Sequence, residues 1–250
     1  MDGRTSPQVA SARVYGPDVT DERIRADEEQ IRETYAAYER DGRSHLWDRS
    51  NPGYARLADG RDVALMTLVA QSLSASPAHY LDVGCGDGSL VGAVASRWSD
   101  VEAVGLDLLE DRVASARDAF PEATFVQGSA DGLPFDDGRF DAVSASTLFS
   151  SFPSRALEEA VAVEIARVLR PGGWIVWYDL RYDNPGNKAV HGLPKRRVRE
   201  LFPGWTGRLD TLTLAPPIAR RLGPFTPIAY PILHAIPPLR SHLVGRLRKP

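Results

Sequence analysis

Apolar residues along this chain fall into short β-branched runs separated by longer stretches with helical spacing, the alternation expected of an α/β protein. Thr20 or Asp21 caps a first helix running to about Glu39, with Ile24, Ile31, Tyr35 and Tyr38 on one face, a stripe read as a docking surface. From Arg40 to Asp62 no period is visible. That stretch carries His45, Trp47 and Tyr54 and is read as a loop serving as a lid, because an aromatic loop can exclude water and touch a bound molecule. Val63 to Leu73 is a second helix, stopped by Ser-Ala-Ser-Pro.

The alternation then becomes regular. Strands are predicted at Tyr80 to Val83, Val101 to Leu106, Ala123 to Gln127, Arg139 to Ala145 and Trp174 to Tyr178. Helices come between them: one carrying Leu90, Val91, Val94, Ala95 and Trp98, one over Leu109 to Phe120, and a long one capped by Ser154 with Leu157, Val161, Ile165, Val168 and Leu169 on one face. Arg196 to Phe202 is a short basic helix and Arg208 to Leu214 a sixth strand. Pro216 to Leu222 and Thr226 to Ile236 are short helices, and Ser241 to Arg248 is a seventh strand.

The first strand passes directly into Gly84-Cys85-Gly86-Asp87-Gly88. Glycines at a strand-to-helix turn supply backbone conformations closed to residues with a Cβ and let a ligand approach the main chain. Asp107, 19 residues past Gly88 at the end of the second strand, is suited to two ribose hydroxyls. A dinucleotide turn would place a third glycine where Ser89 stands and would set Asp87 against a pyrophosphate, an unfavourable pairing of like charges. A cationic ligand without phosphate suits Asp82 and Asp87 better, and S-adenosylmethionine, with its sulfonium and ammonium, is one.

The run DVGCGDG resembles the first motif of the class I S-adenosylmethionine-dependent methyltransferases. That resemblance implies a Rossmann-like, seven-stranded, mostly parallel sheet with helices on both faces, cofactor at the carboxyl ends of the early strands and acceptor over the later ones. Residues 128–135, GSADGLPF, are similar to the family segment lining the adenine, with Ser129 standing where an acid usually reaches the adenine amino group and Ala130 supplying backbone. A hydroxyl can still accept that hydrogen bond. Phe140 and Asp141 match the family's FD pair, and LRPGG at 169–173 its structural turn. The cofactor residues implied are Asp82, Gly84, Cys85, Gly86, Gly88, Asp107, Leu108, Ser129, Ala130 and Ser146. Residues 1–17 are read as a flexible end, 18–76 as N-terminal helices forming the lid, and 77–250 as the methyltransferase domain.

An in-line methyl transfer needs mainly positioning, but a hydroxyl acceptor also needs a base, for which Asp179, His191 and His45 are the candidates, Asp179 favoured. Segments such as TLFSSF and WYDLRYDNPGN resemble a subgroup acting in glycan or secondary-metabolite assembly, implying a small-molecule or glycan-linked acceptor methylated at a hydroxyl oxygen. The alternatives are N-methylation of a secondary metabolite and a cofactor-binding module without catalysis. Composition narrows the picture in four respects. Net charge is −3, but Lys195 to Pro250 holds eleven Lys and Arg against Glu200 and Asp210, which allows peripheral contact between the basic tail and an anionic membrane. Without an interleaved basic and aromatic array, a nucleic-acid partner is not expected. Cys85, alone of its kind, excludes an internal disulfide and a cysteine-built metal site, and no metal is expected. With no secretory pattern in Met1 to Gln8 and no apolar run near the roughly 18 residues of a membrane span, the chain is read as cytoplasmic.

Overall fold

The structure, a computed structural model, describes residues 21–42, 48–73 and 77–250; the expected flexible end, His45 and Trp47 lie outside the described residues. Helices α1 (Asp21–Arg40) and α2 (Pro52–Ser72) precede β1 (Ala78–Val83), α3 (Ser89–Arg97), β2 (Val101–Asp107), α4 (Glu110–Ala119), β3 (Thr124–Gln127) and β4 (Phe140–Ser146). Then follow α5 (Arg155–Val168), β5 (Leu169–Leu180), α6 (Lys195–Leu201), β6 (Thr206–Leu214), α7 (Pro216–Arg220), α8 (Thr226–His234) and β7 (Arg240–Arg248). The seven strands form one sheet in the order β3-β2-β1-β4-β5-β7-β6. All pairings are parallel except those of β7, which runs antiparallel to β5 and β6. This is the mostly parallel α/β sheet that the resemblance implied.

The two-residue period of the strands divides the core into two layers. Leu81, Val83, Val143, Ile175 and Trp177 pack with Val161 and Ile165 of α5 and with Ile24 of α1. Their neighbours Tyr80, Val176 and Tyr178 face the other way, onto Leu65 and Val69 of α2, Val91 and Val94 of α3 and Val113 of α4. In β5 the LRPGG turn is an outward excursion within the strand: Leu169 pairs with Phe140, and pairing resumes at Trp174 with Ala142.

One expectation is corrected. The stretch read as an irregular lid loop is helical from Pro52, where the Asn51 side chain accepts from Tyr54 N at 3.0 Å and caps α2. Gly53 and Gly60 obscured that start. Gly53 is there because Ala219 of α7 crosses it so closely that a Cβ would lie 1.8 Å from its carbonyl oxygen. Tyr54, assigned to the lid, is buried in a third cluster with Leu57, Leu214, Ala219 and Tyr230. The last residues of the basic tail are taken up by the sheet. Arg246 and Arg248 lie in β7 and stack over Trp174, while the Lys249 ammonium donates to the carbonyls of Ala166 and Leu169.

Candidate functional site

From Val83 the chain turns through Gly84, Gly86 and Gly88, all at positive φ (73°, 56° and 76°). Gly84 N and Cys85 N both donate to Leu106 O, at 2.7 and 3.0 Å, stitching the turn to the end of β2. Beneath the turn there is no room: a Cβ on Gly88 would meet Ala116 at 2.7 Å and the Phe125 ring at 2.8 Å. Above Gly86 there is space, the nearest atom to a built Cβ being Arg112 Nη1 at 3.8 Å. Asp107 accepts from Gly86 N at 2.9 Å through one carboxylate oxygen and from Leu109 N at 3.0 Å through the other. Both bonds fix its orientation, and each oxygen retains acceptor capacity.

Asp82 is buried, and the Ser144 hydroxyl donates to it while sharing a 2.6 Å bond with Tyr80 Oη. Burial, opposed by the Ser144 bond and reinforced by the Asp107 and Asp87 carboxylates, pushes Asp82 up to about 7. Asp87 itself is exposed and turned to its own helix, accepting from Ser89 N and Oγ at 3.1 and 2.7 Å. Cys85 is buried between acids, and burial followed by the Asp82 and Asp107 charges raises its thiol far above the range of a nucleophile. Leu108 O takes Arg32 Nη1 at 3.2 Å and Gln127 Nε2 at 3.1 Å.

After β3, the Ser129 hydroxyl donates to the carboxylate of Asp131, which is 2% exposed, and Ala130 packs against the core. The sequence reading missed Asp131, whose signal was an acid two positions beyond the one departure from the motif. Ser146, half-buried, ends β4. Thr147 beside it has φ 52°, a strained conformation for a β-branched residue, held by its N–H to Tyr178 O at 2.7 Å and its hydroxyl to Ser146 O at 2.7 Å. The implied cofactor residues thus gather along the carboxyl ends of β3, β2, β1 and β4, which are neighbours in the sheet.

Helix α1 crosses those ends. Arg32, Tyr35 and Tyr38, spaced three apart on one face, reach Leu108 O, Ser151 Oγ (3.4 Å) and the Asn187 side chain (2.8 and 3.1 Å), that is, the ends of β2, β4 and β5 in turn. The Arg112 guanidinium lies 4.3 Å over the Tyr35 ring, next to the open space above Gly86. Among the described residues, α1 covers the sheet end.

The base candidates do not converge. Asp179 is fully buried; its oxygens accept from Ser150 N at 3.1 Å and Leu180 N at 2.8 Å, and burial raises it to about 6. It is tied to the turn after β4, so the residue expected as a base is a buried carboxylate already oriented by two backbone N–H groups. His191 Nε2 lies 2.8 Å from Glu158, which Arg197 also binds at 2.7 Å, and the Glu158 bond pulls the imidazole upward, toward the cation. His191 borders a cavity of about 350 Å³ beneath α1, with Gln30, Thr34, Ser151, Arg155 and Lys188. His45 lies outside the described residues.

Residues 81–173 match the family described as methyltransferase domain. The chain is similar to the fatty-acid O-methyltransferase of Mycolicibacterium smegmatis, 39% identical over 148 residues, 54% of this chain and 52% of that protein. With the trans-aconitate 2-methyltransferase of Azoarcus it is 28% identical over 153 residues, 59% of this chain and 56% of that one. It spans about half the length of these curated relatives. Its fold is shared by the 1,6-didemethyltoxoflavin-N1-methyltransferase of Burkholderia thailandensis, solved with S-adenosylhomocysteine, at a TM-score of 0.63 and 20% identity over 95% of this chain and 94% of that one. A glycine turn bonded to an acid at the next strand, a seven-stranded sheet with one reversed strand and a matched methyltransferase domain over residues 81–173 agree with the resemblance to the class I S-adenosylmethionine-dependent methyltransferases.

Proposed function

We propose that this protein moves a methyl group from S-adenosylmethionine to a carboxylate oxygen of a small, largely apolar acceptor. The residues fit the cofactor on the geometry alone: the turn is open only above Gly86, and Asp107 is oriented by two backbone N–H groups with acceptor capacity to spare for ribose hydroxyls. In this reading Gly84 to Gly86 carry the amino-acid portion, with the buried Asp82 behind them, and Ser129 and Ala130 meet the adenine. The bound cofactor supplies an electrophilic methyl group on a sulfonium. The protein's part is to orient the acceptor, to exclude water with α1 and to hold charge near it.

The observation that carries the carboxylate reading is the state of the two described base candidates. A hydroxyl must lose a proton to a base during transfer, whereas a carboxylate is already an anion at neutral pH. Asp179 has both oxygens on backbone N–H groups and His191 is held toward the cation by Glu158. Together with Arg155 and Lys188 at the cavity, His191 suits an anion as a binding group better than it suits proton abstraction. The names of the relatives, a fatty-acid O-methyltransferase and a trans-aconitate methyltransferase, agree with an acidic acceptor and point away from a glycan-linked one. Calorimetry with S-adenosylhomocysteine, with NAD as control and Asp107→Ala beside it, tests the cofactor. Transfer of labelled methyl to dodecanoate against 1-dodecanol tests the acceptor: label in dodecanoate alone is expected, and label in the alcohol alone returns the hydroxyl reading. Cofactor binding without transfer to either acid or alcohol favours a binding module.

A further inference from the structure

Seven large apolar side chains are exposed among the described residues, and four of them, Phe225 (70%), Ile228 (71%), Ile232 (61%) and Ile236 (44%), fall within one stretch of twelve. Ile228, Ile232 and Ile236 are four residues apart, so the first two share the outer face of α8 and the third continues it past the helix end. The opposite side of α8 is accounted for: Tyr230 is buried with Tyr54, Leu57 and Leu214. An apolar row of this kind on an otherwise polar surface marks a contact site.

Its surroundings say with what. After Asp210 the chain contains no acidic residue to its end, while Arg220, Arg221 and Arg240 bracket the row. Arg240 donates to His234 O at 2.7 Å, and burial followed by the charges of Arg240 and Arg56 lowers the His234 imidazole. A second copy docked face to face would set these arginines against their own counterparts, at a cost in repulsion. An anionic lipid surface complements them, and it accepts the aliphatic side chains as well.

The location gives the contact a purpose. The segment 215–239 joins the end of β6 to the start of β7, and β6 runs parallel to β5, so the segment stands at the carboxyl end of the sheet, where the candidate site lies. Tyr182, just past β5, ties the two together by donating to the carbonyls of Pro238 and Arg240 at 2.8 and 2.9 Å.

We infer that Phe225, Ile228, Ile232 and Ile236, flanked along the chain by Arg220, Arg221 and Arg240, form a docking face for a negatively charged membrane surface, holding the open end of the sheet against the lipid. The contact is peripheral, since among the described residues no helix is long and apolar enough to cross a membrane. It does not depend on the reaction proposed above.

Flotation of the full chain with vesicles of phosphatidylcholine, alone or mixed with phosphatidylglycerol, tests it, beside Ile228→Asp/Ile232→Asp and Arg221→Glu. S-adenosylhomocysteine titration and circular dichroism report whether each variant is folded. The wild type is expected to float with the mixed vesicles at low salt, Arg221→Glu to float less, and the double isoleucine variant to lose at least about tenfold in vesicle affinity while remaining folded. Failure of the wild type to float with mixed vesicles overturns the inference, as does equal flotation of a folded double variant. So does light scattering that shows a wild-type dimer dissolved by the same substitutions, which would assign the face to a second copy. If the double isoleucine variant does not fold, flotation of Arg221→Glu equal to that of the wild type overturns it too.

Discussion

The Ser129 hydroxyl donates its proton to the buried carboxylate of Asp131, which leaves the serine oxygen as an acceptor facing away from that bond. A hydrogen bond to a carboxylate polarises the donor hydroxyl and strengthens its oxygen as an acceptor. In the reading proposed above, the pair supplies together what the family's single acid supplies alone. Asp131→Asn and Ser129→Ala are each expected to weaken S-adenosylhomocysteine binding by about tenfold, roughly 1.4 kcal/mol, and the double variant by little more than either. Calorimetric titration of the three variants checks this; additive losses would mean the residues act separately.

Asp82 makes stability depend on pH in a stated direction. Its folded value, raised to about 7 mainly by burial, exceeds the ordinary carboxylate value of 3.8, so the folded chain keeps this proton where the unfolded chain has released it. Stability from Asp82 is then greatest below about pH 4 and is lost as pH rises toward 7, at about 1.4 kcal/mol per pH unit across that window. Asp82→Asn, which carries no such charge, is expected to gain relative to the wild type between pH 5 and pH 8. Urea unfolding of both proteins at the two pH values measures the difference directly. A gap that narrows with pH would contradict the buried position of Asp82.

Asp179→Asn separates a positioning role from that of a base. The carboxylate receives Ser150 N on one oxygen and Leu180 N on the other, and an amide can accept at only one of those positions. Loss of about 1–3 kcal/mol of stability is expected, with a lower kcat but an unchanged shape of the kcat–pH profile. Disappearance of an acidic limb from that profile would restore Asp179 as a base.

Much of this was readable beforehand for local reasons. The glycine turn, the acid ending β2 and the strand-and-helix alternation are short-range patterns, and all seven strands lie near the predicted positions. The beginning of α2 was not readable, because Gly53 and Gly60 mimic a loop unless the crossing of Ala219 over Gly53 is known. Asp179 and His191 were legible as residue types at a promising strand end. What ties the one into the turn after β4 and pairs the other with an acid is contact with Ser150 and with Glu158, which are 29 and 33 residues away.

Sequence by itself determined the fold class and the cofactor turn, because backbone conformation at glycine and a two-residue strand period depend on neighbours along the chain. Only the tertiary structure decided that α1 covers the sheet end through Arg32, Tyr35 and Tyr38, that Ser129 is bonded to Asp131, and that four apolar side chains around α8 remain outside the core. Those outcomes depend on burial and on pairings between distant segments. Periodicity reports which face of an element is apolar; packing decides whether anything covers it.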